Sequence, residues 1–384
     1  MLAPEPFFQP RGTPISIYFR LKTLSDLGHT VDLITYHIGE NREFPGLNIL
    51  RISNIFGIRK IKIGPSFTKI PLDLLLLLKA AWQVMTKRYD LIFSHEEAAF
   101  IGIVLGRVFK LPHLYDMHSS LPQQLINFNF TRSQVLVQIF KMMERQVLKN
   151  SSSILVICPD LQKIVADEGY GDRSVLLENF LDFNPSLTPE DTILPNRETL
   201  APTGEKIVVY TGNFQSYQGV HLLLEAASEM KNDPVKFVLV GETPQGVSLM
   251  KQKAEACGIG DKIYFTGQIP PQRVPYYISL ADVLVSPRIS GTNTPLKIYS
   301  FLKSGKPIVA TRLWTHTQVL NDDISILVNP VSKSMADGIR RALFTQEGEN
   351  KGKAAKRFAA DKYSYENYRE KLNNAITNAV KKNR

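Results

Sequence analysis

The sequence predicts an α/β protein built from two doubly wound parallel sheets. Three observations carry this. The chain is long, short apolar runs alternate with helical periodicity along most of it, and a stretch rich in Pro, Thr, Asn and acids interrupts the alternation near the middle. At 384 residues it exceeds one ordinary core, so two domains of roughly 150–200 residues are expected.

The elements follow in order. Met1-Leu2-Ala3 is cut off by Pro4, so any first strand is a stump. Segments 31–36, 47–52, 91–94, 113–116 and 154–157 read as strands, and helical periodicity fits 15–27, 72–85, 98–109 and 134–148. In the second half the strands are 207–211, 236–240, 263–265, 283–286 and 307–310. Helices between them fit 220–230, 247–257, 275–280 and 295–303. Such alternation implies parallel sheets with crossover helices. Residues 181–205 form the linker between domains at 1–180 and 206–350. The segment 364–382 reads as one long polar helix without an obvious partner in the second domain, and it is expected to complete the first.

Charge and cysteine usage narrow the class. The net charge of +10 is uneven: within 51–88, Arg59, Lys60, Lys62, Lys69, Lys79 and Lys87 meet one acid, Asp73. Basic patches attract anionic lipid, nucleic acid or phosphorylated substrates, and no nucleic-acid-binding signature is present. The apolar run 72–85 is broken by Asp73, Lys79 and Gln83 and is shorter than the about 20 residues a bilayer needs, so it reads as a buried helix behind a basic approach segment. No signal peptide is visible, and Cys158 and Cys257 lie far apart. A reducing cytoplasm, with both thiols as small core residues, is the expectation.

In open α/β sheets ligands bind at the carboxyl ends of the strands. In the second half those ends carry Gly212-Asn213, Gly241-Glu242, Gly267-Gln268 and Pro287-Arg288. In the first half they carry His95-Glu96-Glu97 and Met117-His118-Ser119, with Arg11-Gly12-Thr13 after the stump. Two such edges facing each other would make a cleft. The stretch "RISGTNTPLKIYSFLKSGKPIVAT" follows a strand and opens a helix; it holds Arg288, Lys297, Lys303 and Lys306 and no acid. Thr294 suits an N-cap and Pro295 a first helical position, leaving the amides of Leu296 and Lys297 and the Lys297 charge to meet an anion. A phosphate or diphosphate is the natural guest; an ordinary capped helix with solvated lysines is the alternative. Gly12, following a proline-rich turn, would let backbone approach a ligand. His118, at a strand end in "YDMHSS", reads as a substrate contact or a core histidine, and Glu96 and Glu97 as site acids or capping charges.

Other chemistries lack support. The seven histidines show no ligand-pair spacing, Cys and His do not cluster, and Asp322-Asp323 fits a solvated turn better than a metal site. No dinucleotide fingerprint, phosphate loop ending in Gly-Lys-Ser/Thr or nucleophile elbow appears.

The order "PEPFFQPRGTPISIYFRLKTLSDLGHTVDLITY", "YTGNFQSYQGVHLLLEAA", "FVLVGE", "YFTGQIP", "ADVLVSPRISGTNTPLKIYSFLKSGKPIVAT" and "DKYSYENY" resembles the retaining glycosyltransferases of family four. The resemblance covers nearly the whole chain. It implies the GT-B fold, two Rossmann-like domains facing across a cleft, with the second binding a nucleotide-diphosphate sugar and the first a glycan or lipid-linked acceptor. The activity it implies is metal-independent transfer with retention, in envelope or surface polysaccharide synthesis.

By the same resemblance Gly12 and Thr13 lie against the donor diphosphate. His118 stands near the transferred sugar, and Thr292, Asn293, Thr294, Pro295 and Leu296 form the loop meeting sugar and diphosphate. Gly212 and Gly241 belong to the donor edge, and Arg11, Glu96 and Glu97 to the acceptor side. The catalytic set is expected to be His118, Thr292 and Lys297. No Asp-x-Asp metal motif is present, no cofactor is expected, and the nucleotide sugar is a co-substrate. The family's Glu-x7-Glu pair is replaced by Thr292 and Ser300, and the Arg and Lys flanking the second domain's first loop by Asn213 and Gln218. Arg288 and Lys297 are expected to supply the missing charge. The basic region 59–69 is expected to dock at the anionic inner face of a membrane. A non-catalytic binding protein and a nucleotide-sugar epimerase of the same fold are the alternatives.

Overall fold

The structure, a computed structural model, describes residues 1–8, 12–59, 61, 66–123, 133–180 and 194–381. Two compact units emerge: Met1–Phe180 with Tyr365–Arg384, and Leu181–Ser364. The second therefore runs past residue 350 to include the helix Gln346–Lys362.

The first unit holds a seven-stranded sheet in the order β3-β2-β1-β4-β5-β6-β7. Its strands are β1 (Leu2–Ala3), β2 (Val31–Thr35), β3 (Leu47–Arg51), β4 (Ile92–His95), β5 (His113–Met117), β6 (Ser153–Val156) and β7 (Ser174–Leu176). The two-residue stump is a true interior strand, pairing in parallel with Ile34 and Thr35 on one side and Ser94 on the other. Chain order steps one way from β1 to β3 and the other way from β3 to β7. Right-handed crossovers therefore put the helix Gly12–Asp26 on one face. The helices Ile70–Thr86, Ala98–Phe109 and Gln134–Asn150 lie on the other. The last helix, Tyr365–Lys381, packs on β5, β6 and β7.

The second unit holds six strands in the order β10-β9-β8-β11-β12-β13. They are β8 (Lys206–Thr211), β9 (Val235–Val240), β10 (Ile263–Gly267), β11 (Val283–Ser286), β12 (Ile308–Thr311) and β13 (Ile326–Val328). Hydrophobic cores fill both faces, one built on Phe237, Leu223 and Ile339 and the other on Tyr299, Phe301 and Leu302.

Several expectations are corrected. The short helix Arg197–Leu200, capped by Asn196, buries Leu200 and Ala201 in the second core, so this part of 181–205 is not linker. Residues 181–193 of that linker lie outside the described residues. Cys158 is buried but Cys257 is exposed, at the end of a surface helix rather than in a core. The helix Ile70–Thr86 is not buried all round: Leu72, Leu76 and Ala80 face the sheet, while Ile70, Leu74, Leu78, Trp82 and Met85 are exposed. Of the basic region 59–69, Lys60 and Lys62 lie outside the described residues. Lys69 is turned inward to Glu97 at 2.6 Å and is largely shielded. No helix among the described residues is long and apolar enough to cross a membrane.

Candidate functional site

In the second unit the strand ends build a compact, cationic edge. β8 runs into Gly212 at φ 135°, whose amide donates to the Val240 carbonyl at 2.8 Å. A side chain at Gly241, φ 120°, would meet the Gly212 carbonyl at 2.4 Å, so the two loops cross where only glycine fits. Asn213 is spent locally: its carbonyl accepts from Tyr210 at 2.6 Å and its Oδ1 from the Gln215 amide at 3.3 Å. Gln218 is buried, and its Oε1 has no partner among the described residues.

The loop after β11 is held from behind. Arg288 Nη1 donates to the Asn293 carbonyl and to Thr315 Oγ1, both at 2.7 Å, and its guanidinium lies 5.1 Å from the Tyr217 ring centre. Gln318 donates to the Thr292 carbonyl at 2.5 Å. Beneath, His316 Nε2 meets Ser286 Oγ at 2.8 Å and its Nδ1 the Thr311 carbonyl at 2.8 Å. Burial pushes that imidazole down to about 3, so it is a neutral brace. Arg288 is thus first a clamp on the loop, with only part of its guanidinium left for a ligand.

The helix start is also corrected. The helix runs Lys297–Ser304, with Leu296 at the cap position and no side-chain cap. Thr294 and Pro295 precede that cap and belong to the approach, where the Pro295 carbonyl accepts from Ile298 at 3.0 Å in a tight leading turn. Thr294 is instead buried, with Oγ1 unpartnered among the described residues. Ser300 is half-buried, three residues along from Lys297.

Lys297 is the distinctive group. Its Nζ is shut off from solvent without a hydrogen-bond partner, 3.9 Å from the Tyr210 ring centre and close against Gly212. Burial first, and Arg288 second, push its pKa well below the ordinary lysine value. Among the described residues no carboxylate pairs with Lys297. A buried cation over an aromatic face and beside a second cation is electrostatically unfinished.

The first unit's edge is the opposite. Asp116, on β5, lies fully buried between Arg20 and two histidines. Arg20 Nε donates to Oδ2 at 3.0 Å, His95 Nε2 lies 3.2 Å from Oδ2, and His118 Nε2 lies 3.2 Å from Oδ1. Arg20 also bonds the Tyr368 hydroxyl on the last helix and the Leu177 carbonyl at 3.4 Å. Burial works against the Asp116 charge, but Arg20 and the histidines outweigh it and hold the carboxyl far below its usual range. Burial keeps His95 neutral, pushed down to about 3.

Glu96, at φ 46°, accepts from Ser119 Oγ at 2.7 Å. Burial and the neighbouring Glu97 push it up to about 8, so it carries a proton at neutral pH. Glu97 is committed to Lys69. Gly12 and Thr13 form the first turn of a helix rather than an open turn, and Arg11 lies outside the described residues.

Sequence spacing missed the histidine cluster, because its members come from adjacent parallel strands: ligand atoms of His95, Asp116 and His118 lie within 4.8 Å of one another. It also missed Arg20, Tyr210, Thr315, His316 and Gln318, which carry no motif; only the placement of Tyr210 on a strand entering a site edge pointed that way.

Comparison with known proteins agrees with this architecture. Residues 11–184 match the family described as Glycosyltransferase Family 4, and residues 195–381 the family described as Glycosyl transferases group 1. The chain is 22% identical over 318 residues to alpha-monoglucosyldiacylglycerol synthase of Streptococcus pneumoniae, spanning 79% of this chain and 68% of that protein. It is 25% identical over 281 residues to alpha-D-kanosaminyltransferase of Streptomyces kanamyceticus, spanning 70% of each. Sucrose-phosphate synthase from Thermosynechococcus elongatus shares the fold with a TM-score of 0.76 at 20% identity, over 96% of this chain and 93% of that one. Anabaena HepE in complex with UDP-glucose does so with a TM-score of 0.72 at 16% identity, over 98% of each. The chain belongs to glycosyltransferase family four and is a glycosyltransferase of the GT-B type.

Proposed function

We propose that this glycosyltransferase moves a sugar from a nucleoside diphosphate sugar to a glycan or lipid-linked acceptor, without a metal ion and with retention, in envelope or surface polysaccharide synthesis. The observation that carries the reading is Lys297: a desolvated, unpaired cation beside Arg288 at a strand-end edge needs an anion, and a diphosphate supplies one. The Leu296 and Lys297 amides at the helix start add donors to the same edge. The UDP-glucose bound to the Anabaena neighbour and the glycolipid product in the pneumococcal relative's name support the donor and acceptor classes.

In the reaction the acceptor hydroxyl attacks the anomeric carbon on the face the diphosphate leaves. The carbon–oxygen bond to phosphate breaks, its electron pair stays on the diphosphate, and a departing phosphate oxygen takes the hydroxyl proton. Lys297 offsets the charge that grows on that oxygen. His118, with Nε2 turned to Asp116, is oriented to meet a sugar hydroxyl with the rest of its ring. Metal independence draws support from Arg20, which supplies the positive charge on Asp116 that an ion would otherwise bring. Cys158 and Cys257 are not joined in a disulfide, which fits the reducing cytoplasm where the reading places the enzyme.

The test is transfer assayed over a panel of nucleotide sugars, UDP-glucose included, with and without lipid acceptors. Lys297→Met is expected to weaken nucleoside diphosphate binding roughly ten- to hundredfold, the size of a charged hydrogen bond. No transfer from any donor overturns the reading; unchanged affinity in the variant overturns the role of Lys297.

A further inference from the structure

On the first unit, one helical layer shows solvent an apolar surface of the kind usually kept for a core. On Ile70–Thr86, Ile70, Leu74, Leu78, Trp82 and Met85 lie opposite the sheet-facing Leu72, Leu76 and Ala80 and are each 56–62% exposed. A surface helix ordinarily carries its charges on that outer face. Here both charged residues point inward: Asp73 accepts from Tyr36 at 2.5 Å and Lys79 donates to the Arg51 carbonyl at 2.5 Å. The outer face has no charge at all.

The neighbouring helices continue the surface. Ala98–Phe109 packs against Ile70–Thr86 and exposes Val104 and Val108, one turn apart. Gln134–Asn150 packs against Ala98–Phe109 in turn and exposes Val135, Ile139 and Met142 at helical spacing. An apolar face spread over three adjacent helices is an interaction surface, not scatter.

Charge decides the partner. The carboxylates of these helices, Asp73 and Glu144, are both bonded inward, Glu144 to Ser120 and the Leu121 amide. Their outward charges are Arg107, Lys141, Arg145 and Lys149, with Lys87, Arg88 and Lys110 at the helix ends; Lys87 is paired with Asp32 at 2.9 Å and Arg145 lies 3.4 Å from Glu168, so cations still outnumber the carboxylates that meet them. A second copy offering the same face would set these cations against themselves, because a two-fold interface must be self-complementary. An anionic bilayer meets both features at once, taking the apolar ridge into its interface and the cations at its headgroups.

We infer that this three-helix face seats the enzyme on anionic membrane, with the Ile70–Thr86 ridge as the inserting element. The inference stands on the surface itself and holds whichever donor the enzyme uses. It moves the docking element from the basic region 59–69 to the helix that follows it.

Trp82 is a built-in reporter, since the only other tryptophan is Trp314. In a Trp314→Phe protein, adding phosphatidylcholine vesicles that contain phosphatidylglycerol is expected to shift the Trp82 emission to the blue and to co-sediment the protein. Phosphatidylcholine alone should do neither. Leu74→Glu with Leu78→Glu should cut vesicle affinity at least tenfold while leaving the circular dichroism and melting point unchanged, because both sites are exposed. Three results overturn the inference: equal binding to neutral and anionic vesicles, binding untouched by the double variant, or a wild-type dimer that the double variant breaks. Should the double variant fail to fold, Lys141→Glu with Lys149→Glu reads the charge requirement alone and is expected to lower affinity severalfold; no change overturns the inference.

Discussion

The two strand-end sites are built from similar elements and balanced in opposite ways. In the first unit the central charges answer each other: Arg20 meets Asp116, and His95, His118 and Tyr368 gather around the pair. In the second unit Lys297 and Arg288 stand together, and among the described residues no carboxylate pairs with Lys297 and its nitrogen has no hydrogen-bond partner. A closed network can orient a side chain but has little left with which to bind. An open one holds binding free energy in reserve and lowers the stability of the empty site. One site is therefore expected to lose stability when cut, and the other to gain it.

The largest effect falls on the closed site. Arg20→Ala leaves Asp116 buried and uncompensated, and urea unfolding is expected to show a loss of about 3–5 kcal/mol. The pH dependence has a definite sign. Asp116 titrates below its unfolded value, so its contribution is present above the ordinary carboxylate range and is lost as pH falls through it. That acid sensitivity should be absent in the variant. A loss below about 1 kcal/mol would make the network ornamental.

Lys297→Met breaks the comparison from the other side. Removing an unpaired buried cation in favour of an apolar chain of similar length should raise the stability of the empty protein by roughly 1–2 kcal/mol while donor binding falls. Because the lysine titrates below its unfolded value, the unfolded state holds the extra proton, and wild-type stability should rise with pH up to the ordinary lysine range. Nucleoside diphosphate binding should raise the Lys297 pKa back toward its ordinary value. A destabilised variant would mean that the cation is already satisfied.

These contrasts show where the sequence was legible. The alternation of runs was enough for two parallel sheets, since periodicity is a local property. The helix Gln346–Lys362 escaped because its packing face is Gly348, Gly352, Ala355 and Ala359 rather than large apolar residues. The three-residue strands Ser174–Leu176 and Ile326–Val328 escaped because such short runs carry no period. Lys297 and the loop before it were legible because strand–loop–helix order is local. The Arg20–Asp116–His95 cluster was not, because parallel pairing brings Ser94 beside Tyr115 and His95 beside Asp116 across 21 positions of chain with no signal in either strand alone. The outward face of Ile70–Thr86 was misread for a physical reason: an apolar helix looks buried unless its partner is something outside the protein.

Glu96→Gln probes a site acid that the closed edge keeps protonated. Its carboxyl is raised to about 8, so its contribution to stability is complete below the unfolded value near 4.5 and is lost as pH rises through about 8. The amide keeps the neutral form's hydrogen bonding at every pH. The variant should match wild type in acid and exceed it by more than about 1 kcal/mol above pH 8, since each unit of raised pKa is worth about 1.4 kcal/mol, read from melting points across the range. Identical pH profiles would mean that Glu96 is ionised in place, with Ser119 and Lys69 offsetting it.

The smallest effect tests how the last helix takes part in the closed site. Tyr368→Phe removes one hydroxyl from Arg20 and leaves the ring, whose centre lies 5.2 Å from the guanidinium carbon. A hydrogen bond to a charged group contributes about 1.5–3 kcal/mol, and Arg20 keeps Asp116 and the Leu177 carbonyl, so the expected loss is at or below the low end of that range. The informative reading is catalytic. If Arg20 fixes Asp116, and Asp116 fixes His118, a loosened Arg20 should lower kcat modestly and leave nucleoside diphosphate affinity untouched, since that affinity resides in the other unit. A variant that loses stability but keeps kcat would make the contact a simple tether for the Tyr365–Lys381 helix. A variant that loses nucleotide affinity would undo the division of labour on which the comparison rests.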